Sequence, residues 1–420
     1  MNPTAEILTV GDELLRGEVV DTNATWLAGR LGRLGLSVSR CVTLGDPLEP
    51  LAAQVRLAAG RCQVLVLSGG LGPTEDDRTT EAVALAAGQP LEPRPEALQA
   101  LRERFARAGY ELTPNNEKQA HLPRGATLLE NDQGTAPGFM APIGDCLVFC
   151  LPGVPRELKA MFDARVVPLL SERMGARPAL VRSLNTFGIG ESQVDHRLAD
   201  LLQAVDLEGC RVTLHYRTSF PINRVILVLH PPDDAGDGRG PRVLARLEQE
   251  LRRRIGRHVF GADETSFSDA VVAALRRAGA TVALAESCTG GLAGDLLTRA
   301  AGSSEVFQLG VVAYANAFKE RLLGVPPEVL ERHGAVSRQC VEAMARGVRQ
   351  LAGATYGVAI SGIAGPGGGS QERPVGTVHL ALASEAGVRH VQRLFPFDRQ
   401  RNKSLAAHAA LALVLREVEE

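Results

Sequence analysis

The sequence predicts an α/β protein: an N-terminal α/β domain, a small α+β middle domain and a C-terminal α/β domain. Three observations predict it. Short apolar runs alternate with amphipathic stretches over the first ~170 residues, the pattern of a mostly parallel sheet. Two of those runs, one near each end of the chain, break at glycine-rich corners that lead into helices. Between them, from about Arg182, the texture changes to paired strands and charged helices. At 420 residues the chain is long enough for two or three domains of about 100–200 residues. The expected domains are residues 1–172, 173–262 and 263–420.

Taken in order, Glu6 to Val10 reads as a strand and Thr22 to Leu34 as an amphipathic helix. Val64 to Leu67 is a continuous apolar run, as expected of a buried central strand. It breaks at Ser68-Gly69-Gly70-Leu71-Gly72-Pro73, and a helix is expected from Asp76. Cys146 to Leu151 is a second buried strand. Ser183 to Phe187 reads as a strand, Glu191 to Leu202 as a helix, and Arg211 to His215 with Arg224 to His230 as paired strands. Pro231 to Pro241 is an expected exposed loop, followed by a charged helix from Val243 to Ile255. The third unit opens with a helix (Asp269 to Ala278) and a strand (Thr281 to Ala285) that runs into Glu286-Ser287-Cys288-Thr289-Gly290-Gly291. Val306 to Ala315, Tyr356 to Ile360 and Gly376 to Leu382 read as further strands, and the last ~18 residues as a helix.

Composition narrows the function classes. Apolar residues make up 45% and charged residues 22%, which is ordinary for a globular chain. A net charge of −2 and an aromatic content of 4%, with Trp26 the sole tryptophan, argue against direct nucleic-acid binding. No apolar run reaches the ~20 residues of a membrane span. The start, Met1-Asn2-Pro3-Thr4-Ala5-Glu6, lacks the pattern of a signal peptide. Seven scattered cysteines are expected as reduced, packed thiols in a cytoplasm, since Cys146 and Cys150 have no second pair to complete a zinc set.

The C-terminal corner carries the sharper chemistry. A strand that stops at Ser287 and passes through Thr289-Gly290-Gly291 into a helix holds the serine at a tight turn. The first helical N–H groups lack internal partners and could hold an oxyanion. The logic resembles a nucleophile elbow without the GxSxG motif. His333, His379, His390 and His408 lie in this unit, but none sits in a motif that marks a base. Lys319 is more suggestive. With Asn316 as N-cap, it falls in a first helical turn, where the dipole disfavours a cation and depresses its pKa. Tyr314 ends the preceding strand and could share the pocket. Cys288 is a second candidate nucleophile. On spacing alone the corner also reads as a packing turn and the lysine as solvent-facing.

A family resemblance sharpens this reading. Ala285-Glu286-Ser287-Cys288-Thr289-Gly290-Gly291, Ala300-Ala301-Gly302-Ser303-Ser304, Tyr314-Ala315-Asn316, His333-Gly334-Ala335-Val336-Ser337, Ser361-Gly362-Ile363-Ala364-Gly365-Pro366 and Pro374-Val375-Gly376-Thr377-Val378 resemble the nicotinamide mononucleotide deamidase domain of the CinA family. The resemblance implies hydrolysis of the nicotinamide carboxamide with release of ammonia, without a metal. It implies a catalytic set on Ser287, Tyr314 and Lys319. It also implies substrate contacts at Thr289, Gly290, Gly291, Ser361, Gly362, Gly365 and Arg399. One departure stands out: where the family usually reads Gly-Asp-Arg with a second arginine four residues on, this chain has Phe397-Asp398-Arg399 and Lys403. A lysine replaces the charge but not the bidentate fork.

The N-terminal corner, Ser68 to Thr74, also follows a buried strand, a setting for phosphate on backbone N–H groups. Asp76 and Asp77 beside it would repel a phosphate unless a divalent cation lay between. Thr74 and Asp77 also fit a capping box. Gly11-Asp12-Glu13-Leu14-Leu15-Arg16-Gly17, Asn131-Asp132-Gln133-Gly134-Thr135-Ala136-Pro137-Gly138 and Leu151-Pro152-Gly153-Val154-Pro155-Arg156-Glu157 add three loops. Together they resemble the three-layer, molybdopterin-binding MoaB/Mog-like fold, in the variant that opens CinA proteins. That resemblance implies a divalent-metal-dependent ADP-ribose pyrophosphatase; magnesium, manganese and cobalt are not distinguished. The implied ligand contacts are Gly11, Asp12, Ser68, Gly69, Gly70, Gly72, Thr74, Asn115, Gly134, Thr135, Pro152 and Gly153, with Asp76 or Asp77 on the metal; Asn116 and Lys118 belong to the same polar stretch as Asn115. The resemblance thus implies two activities on fragments of NAD. The rivals are a partner-binding protein linked to competence or DNA damage, and a molybdopterin-processing enzyme. Apolar faces in the middle unit suggest a homodimer.

Overall fold

A computed structural model describes residues 3–109, 111–174, 179–232 and 238–420. Met1 and Asn2, and the stretch 233–237 of the expected exposed loop, lie outside the described residues. The chain forms two compact units. One comprises Met1–Val181, Gly209–Arg211 and Val228–Gly240; the other comprises Arg182–Glu208, Val212–Leu227 and Pro241–Glu420.

The first unit is built on a six-stranded sheet. Its order is Ser37–Leu44, Thr4–Val10, Val64–Ser68, Cys146–Leu151, Gly138–Ile143 and Thr127–Leu129. The first four strands are parallel and the last two antiparallel. Both faces are covered, so the central strands are apolar throughout. Ile7 and Val66 pack into one core, while Leu8, Leu65 and Leu67 pack into the other. The expected helix from Asp76 begins instead at Thr79. Residues between Gly70 and Thr79 close into a compact loop: the Thr74 N–H and hydroxyl donate to the Asp77 carboxylate at 2.9 and 2.6 Å, and Thr79 N–H donates to the Gly70 carbonyl. Asp76 and Asp77 therefore stand in a turn, not on a helix.

In the second unit a five-stranded sheet runs Phe307–Val312, Val282–Glu286, Tyr356–Gly362, Thr377–Ser384 and Gly387–Leu394. The first three strands are parallel and the rest antiparallel. Val282 and Leu284 enter the core beneath the helix Arg399–Glu419, and Ala283 and Ala285 enter the core beneath the helix Arg338–Ala352. The strand Gly387–Leu394 lacks the buried apolar run that marks the others, being an exposed edge with Arg389, Gln392 and Arg393. A four-stranded sheet orders Arg211–Ser219, Ile222–His230, Leu180–Thr186 and Val259–Ala262, so the two strands expected to pair are neighbours. After it, Phe187 joins the C-terminal core, with its ring 5.4 Å from that of Phe267 and 5.7 Å from that of His408. No helix among the described residues is long and apolar enough to cross a membrane.

Candidate active sites

Sheet topology marks two crevices. In the first unit the chain moves from Thr4–Val10 to one neighbour, Ser37–Leu44, and then to the opposite neighbour, Val64–Ser68. In the second it moves from Val282–Glu286 to Phe307–Val312 and then to Tyr356–Gly362. In each case the strand order reverses at the central strand, and ligands of open α/β sheets bind beyond the strand ends at such a point. The loops that start there carry Gly11 and Gly69 in one unit, and Ser287 and Ile363 in the other.

Ser287 stands one residue past the strand end, half-buried. Its N–H donates to the Ile360 carbonyl, and its carbonyl accepts from Gly290 N–H. Gly290 and Gly291 have φ of 64° and 96°, which turn the chain sharply into the helix Leu292–Thr298. The start of that helix differs from the expectation. Three of the N–H groups there are already taken, because the buried Glu286 carboxylate accepts from Gly291, Ala293 and Gly294 at 3.1, 3.1 and 2.9 Å. An anion one residue before the serine thus caps the helix from below. The amide groups of Cys288 and Thr289 carry no hydrogen bond among the described residues. Thr289 Oγ1 is buried without a partner, beneath the corner. Cys288 is buried too, and burial pushes its thiol up to about 11, which keeps it protonated and unsuited to attack.

Lys319 is only 1% exposed. Its helix spans Asn316–Leu323 and its N-cap is Ala315, not Asn316. The ammonium instead turns back onto the end of the preceding strand and donates to the carbonyls of Ala313 (2.8 Å) and Tyr314 (3.0 Å). Ala313 N–H donates to Glu286 O, so the lysine and the serine hang on neighbouring strand ends. Burial lowers the Lys319 pKa, partly offset by the thiols of Cys340 and Cys288. Tyr314 is 62% exposed, and its hydroxyl accepts from Arg399 at 3.3 Å. Arg399 also donates to the Gly365 carbonyl at 2.6 Å. Lys403 has no ion pair among the described residues, and a Cβ added at Gly290 would lie 3.7 Å from its Nζ. Two cations therefore face the serine corner from one helix. Ser361 is committed elsewhere: its hydroxyl donates to the Ala335 carbonyl at 2.6 Å. A Cβ at Gly362 would meet the Thr377 carbonyl oxygen at 2.8 Å. Three of this unit's histidines are engaged elsewhere: His379 and His390 bond each other at 3.0 Å, and His408 Nδ1 bonds the Ser404 carbonyl at 2.8 Å.

The N-terminal crevice has a cavity of about 380 Å³ that collects residues from four loops: Gly11, Gly69 to Gly72, Asp76 and Asp77, Thr135, and Pro152 with Gly153. Gly69 has φ of 105°, and a Cβ there would lie 2.3 Å from the Val10 carbonyl oxygen, so a side chain would force the two loops apart. Ser68 is buried, and its Oγ accepts from Asn23 at 3.0 Å. Asp12 is tied to Asp46, each N–H donating to the other's carboxylate at 3.3 Å. Asn115 is exposed and bonds Thr113. Gly134 packs where a Cβ would overlap the Glu157 carboxylate, which itself accepts from Asn131 at 2.7 Å. Lys118 donates to the carbonyls of Thr74 and Asp77. Among the described residues no three side-chain donors converge as a ready-made metal site. Acidic charge nevertheless gathers at Asp12, Glu13, Asp46 and Asp76. Burial, and repulsion from Asp12, Asp76 and Glu13, raise the Asp46 pKa despite the Asp12 N–H.

Comparison with known proteins places the chain in a family. The family model described as "CinA C-terminal domain" matches residues 264–418, and the one described as "Probable molybdopterin binding domain" matches residues 6–172. A CinA-like protein of Anaeromyxobacter dehalogenans is 46% identical over 409 residues, covering 97% of this chain and 98% of its own. The chain belongs to the CinA family. A CinA-like protein of Myxococcus xanthus is 42% identical over 414 residues, covering 97% of each. Among solved structures, CinA from Thermoplasma acidophilum is 36% identical over 40% of this chain and 98% of its own, with a TM-score of 0.38.

Sequence reasoning missed three groups in this CinA chain: the capping role of Glu286, and Asp46 and Gln119, which line the N-terminal crevice. Only the family's run Ala285-Glu286-Ser287 hinted at the first. The others enter the crevice from loops distant in sequence. The departure at Phe397 leaves Arg399 seated through its bonds to Gly365 and Tyr314, while Lys403 presents an unpaired charge.

Proposed function

We propose that the C-terminal domain deamidates nicotinamide mononucleotide to nicotinate mononucleotide and ammonia, with Ser287 as nucleophile. The observation that carries the reading is Lys319: a buried lysine with lowered pKa on the strand end beside the serine. A neutral amine has two N–H groups and one lone pair. Both N–H groups are used by the Ala313 and Tyr314 carbonyls, which leaves the lone pair to accept a proton. Ser287 Oγ attacks the carboxamide carbon as its proton passes to Lys319. The oxyanion is held by the free amides of Cys288 and Thr289. Collapse expels ammonia, which takes the proton back from Lys319, and water then hydrolyses the acyl-serine. Arg399 and Lys403 attract the substrate phosphate, and Tyr314 lines the pocket on Arg399. Ser287→Ala tests this: it is expected to abolish ammonia release while ADP-ribose cleavage continues. Retained deamidation would rule out the nucleophile.

For the N-terminal crevice we propose hydrolysis of ADP-ribose to AMP and ribose 5-phosphate. The glycine-lined wall allows a pyrophosphate close to the backbone. A divalent cation fits there because the mutual repulsion of Asp46 and its neighbours favours a positive ion, and one or two carboxylates suffice when phosphate oxygens complete the shell. Asp46 or Asp76 would hold it together with the phosphate oxygens, with Asp77 braced by Thr74. Such an ion supplies charge neutralisation of the pyrophosphate. Molybdopterin is the second reading, supported by the family match of this domain. Competition between molybdopterin and ADP-ribose distinguishes the two.

A further inference from the structure

A cavity of about 650 Å³ belongs to neither crevice. It lies wholly within the second unit, between the four-stranded sheet and the helix Phe267–Arg277, and none of Ser287, Tyr314 or Lys319 lines it. Its volume is in the range of small-molecule sites, about 300–1,000 Å³.

Its walls divide by chemistry. Three guanidinium groups reach it: Arg217, Arg224 and Arg299. The Arg217 side chain has no hydrogen bond or ion pair among the described residues. Arg224 donates through Nε to Asn185 and lies 3.5 Å from Glu264, whose carboxylate side chain is 89% exposed. Arg299 pairs with Asp295 through one nitrogen only. Glu264 is the single carboxylate among the lining residues, so positive charge dominates. On the same wall Ser268 is only 5% exposed, yet its hydroxyl has no hydrogen-bond partner. An unpaired hydroxyl that lines a cavity is a donor for an occupant. The opposite character comes from Phe260, Phe267, Leu296 and Ile222, which give an apolar face with two aromatic rings 5.0 Å apart.

We propose that this cavity binds a nucleoside monophosphate, its phosphate on Arg217, Arg224 and the Ser268 hydroxyl and its base against Phe260 and Phe267. Guanidinium forks match phosphate oxygens, and an aromatic wall takes a base face without reading sequence. A dianion satisfies Arg217 and outcompetes the long contact of Arg224 to Glu264. The site is separate from both hydrolytic crevices, so its occupant acts as an effector, not a substrate.

The test is titration of the full chain with adenosine monophosphate, with inorganic phosphate, adenosine and a single-stranded oligonucleotide as comparison probes. Arg217 is exposed and unpaired, so Arg217→Glu leaves folding intact and is expected to weaken adenosine monophosphate binding at least tenfold. Ser268→Ala is expected to weaken it several-fold, and Asp76→Ala to leave it unchanged. Three results would overturn the proposal. One is binding unaffected by Arg217→Glu or lost in Asp76→Ala, which assigns it to the N-terminal crevice. Another is inorganic phosphate binding as tightly as the nucleotide, which leaves an adventitious ion only. The last is oligonucleotide binding without mononucleotide binding, which makes the surface a nucleic-acid contact.

Discussion

Lys319 Nζ lies 2.8 Å from the carbonyl oxygen of Ala313, the residue whose N–H bonds Glu286 immediately before the candidate nucleophile. This fixes the amine from the strand side and fixes its pH behaviour. A lysine whose folded pKa is lowered holds fewer protons folded than unfolded over the window between the two values. Stability therefore rises with pH across that window. Deamidation falls as pH drops through the folded value, because the ammonium has no lone pair. Lys319→Met is expected to remove the rise in stability between neutral and alkaline pH, read by urea denaturation. It is expected to cut deamidation by about 10²–10⁴-fold, the usual contribution of a general base. A variant with full activity would exclude Lys319 from proton transfer.

Glu286 offers a separate prediction. Its carboxylate serves three N–H groups at the start of Leu292–Thr298. Glu286→Ala leaves the buried Ala293 N–H and two half-buried donors unpaired and is expected to cost about 1–3 kcal/mol, the penalty of an unsatisfied buried group. Glu286→Gln keeps one acceptor and is expected to restore part of the stability. If the corner needs the cap to hold Ser287, the alanine variant loses kcat more than substrate affinity. Thermal unfolding and steady-state kinetics of both variants decide this.

The two cations on the C-terminal helix separate binding from positioning. Lys403 makes no ion pair among the described residues, so Lys403→Ala is expected to raise KM for nicotinamide mononucleotide several-fold with little change in kcat. Arg399 also holds Gly365 and Tyr314, so Arg399→Ala is expected to change both. Equal effects of the two variants would contradict this division.

Much of this was legible in the sequence because the chemistry is local. Val64–Ser68 and Val282–Glu286 are buried on both faces, so their apolar runs mark them as central strands, and the glycines that follow mark the corners. What stayed hidden depends on residues far apart in the chain. The capping by Glu286 could not be foreseen from an expectation that helix N–H groups stay open. In place of the expected helix start stands a turn closed by the Thr74 N–H and hydroxyl on the Asp77 carboxylate. The Lys319 contacts arise from a helix folding back on its own strand, and spacing suggests only a first-turn position. Asp46 reaches Asp12 from a loop 34 residues away, and no pattern in either loop signals it.

Asp46 gives the last prediction. Burial and the charges of Asp12, Asp76 and Glu13 raise its pKa. A carboxylate raised in this way is penalised once ionised, so the folded state loses stability as pH climbs through its window and bears the whole penalty at neutral pH. Asp46→Asn is expected to raise the thermal midpoint measured in chelator at pH 7. It is expected to shrink the further rise produced by added magnesium or manganese, because a ligand that binds only the folded state stabilises by an amount that grows with the logarithm of its affinity. ADP-ribose cleavage is expected to fall in parallel, and ammonia release from nicotinamide mononucleotide to stay unchanged with or without chelator. A metal-induced rise as large in Asp46→Asn as in the wild type would remove Asp46 from the cation site, while a chelator that stopped both reactions would end the division into one metal-dependent and one metal-free site.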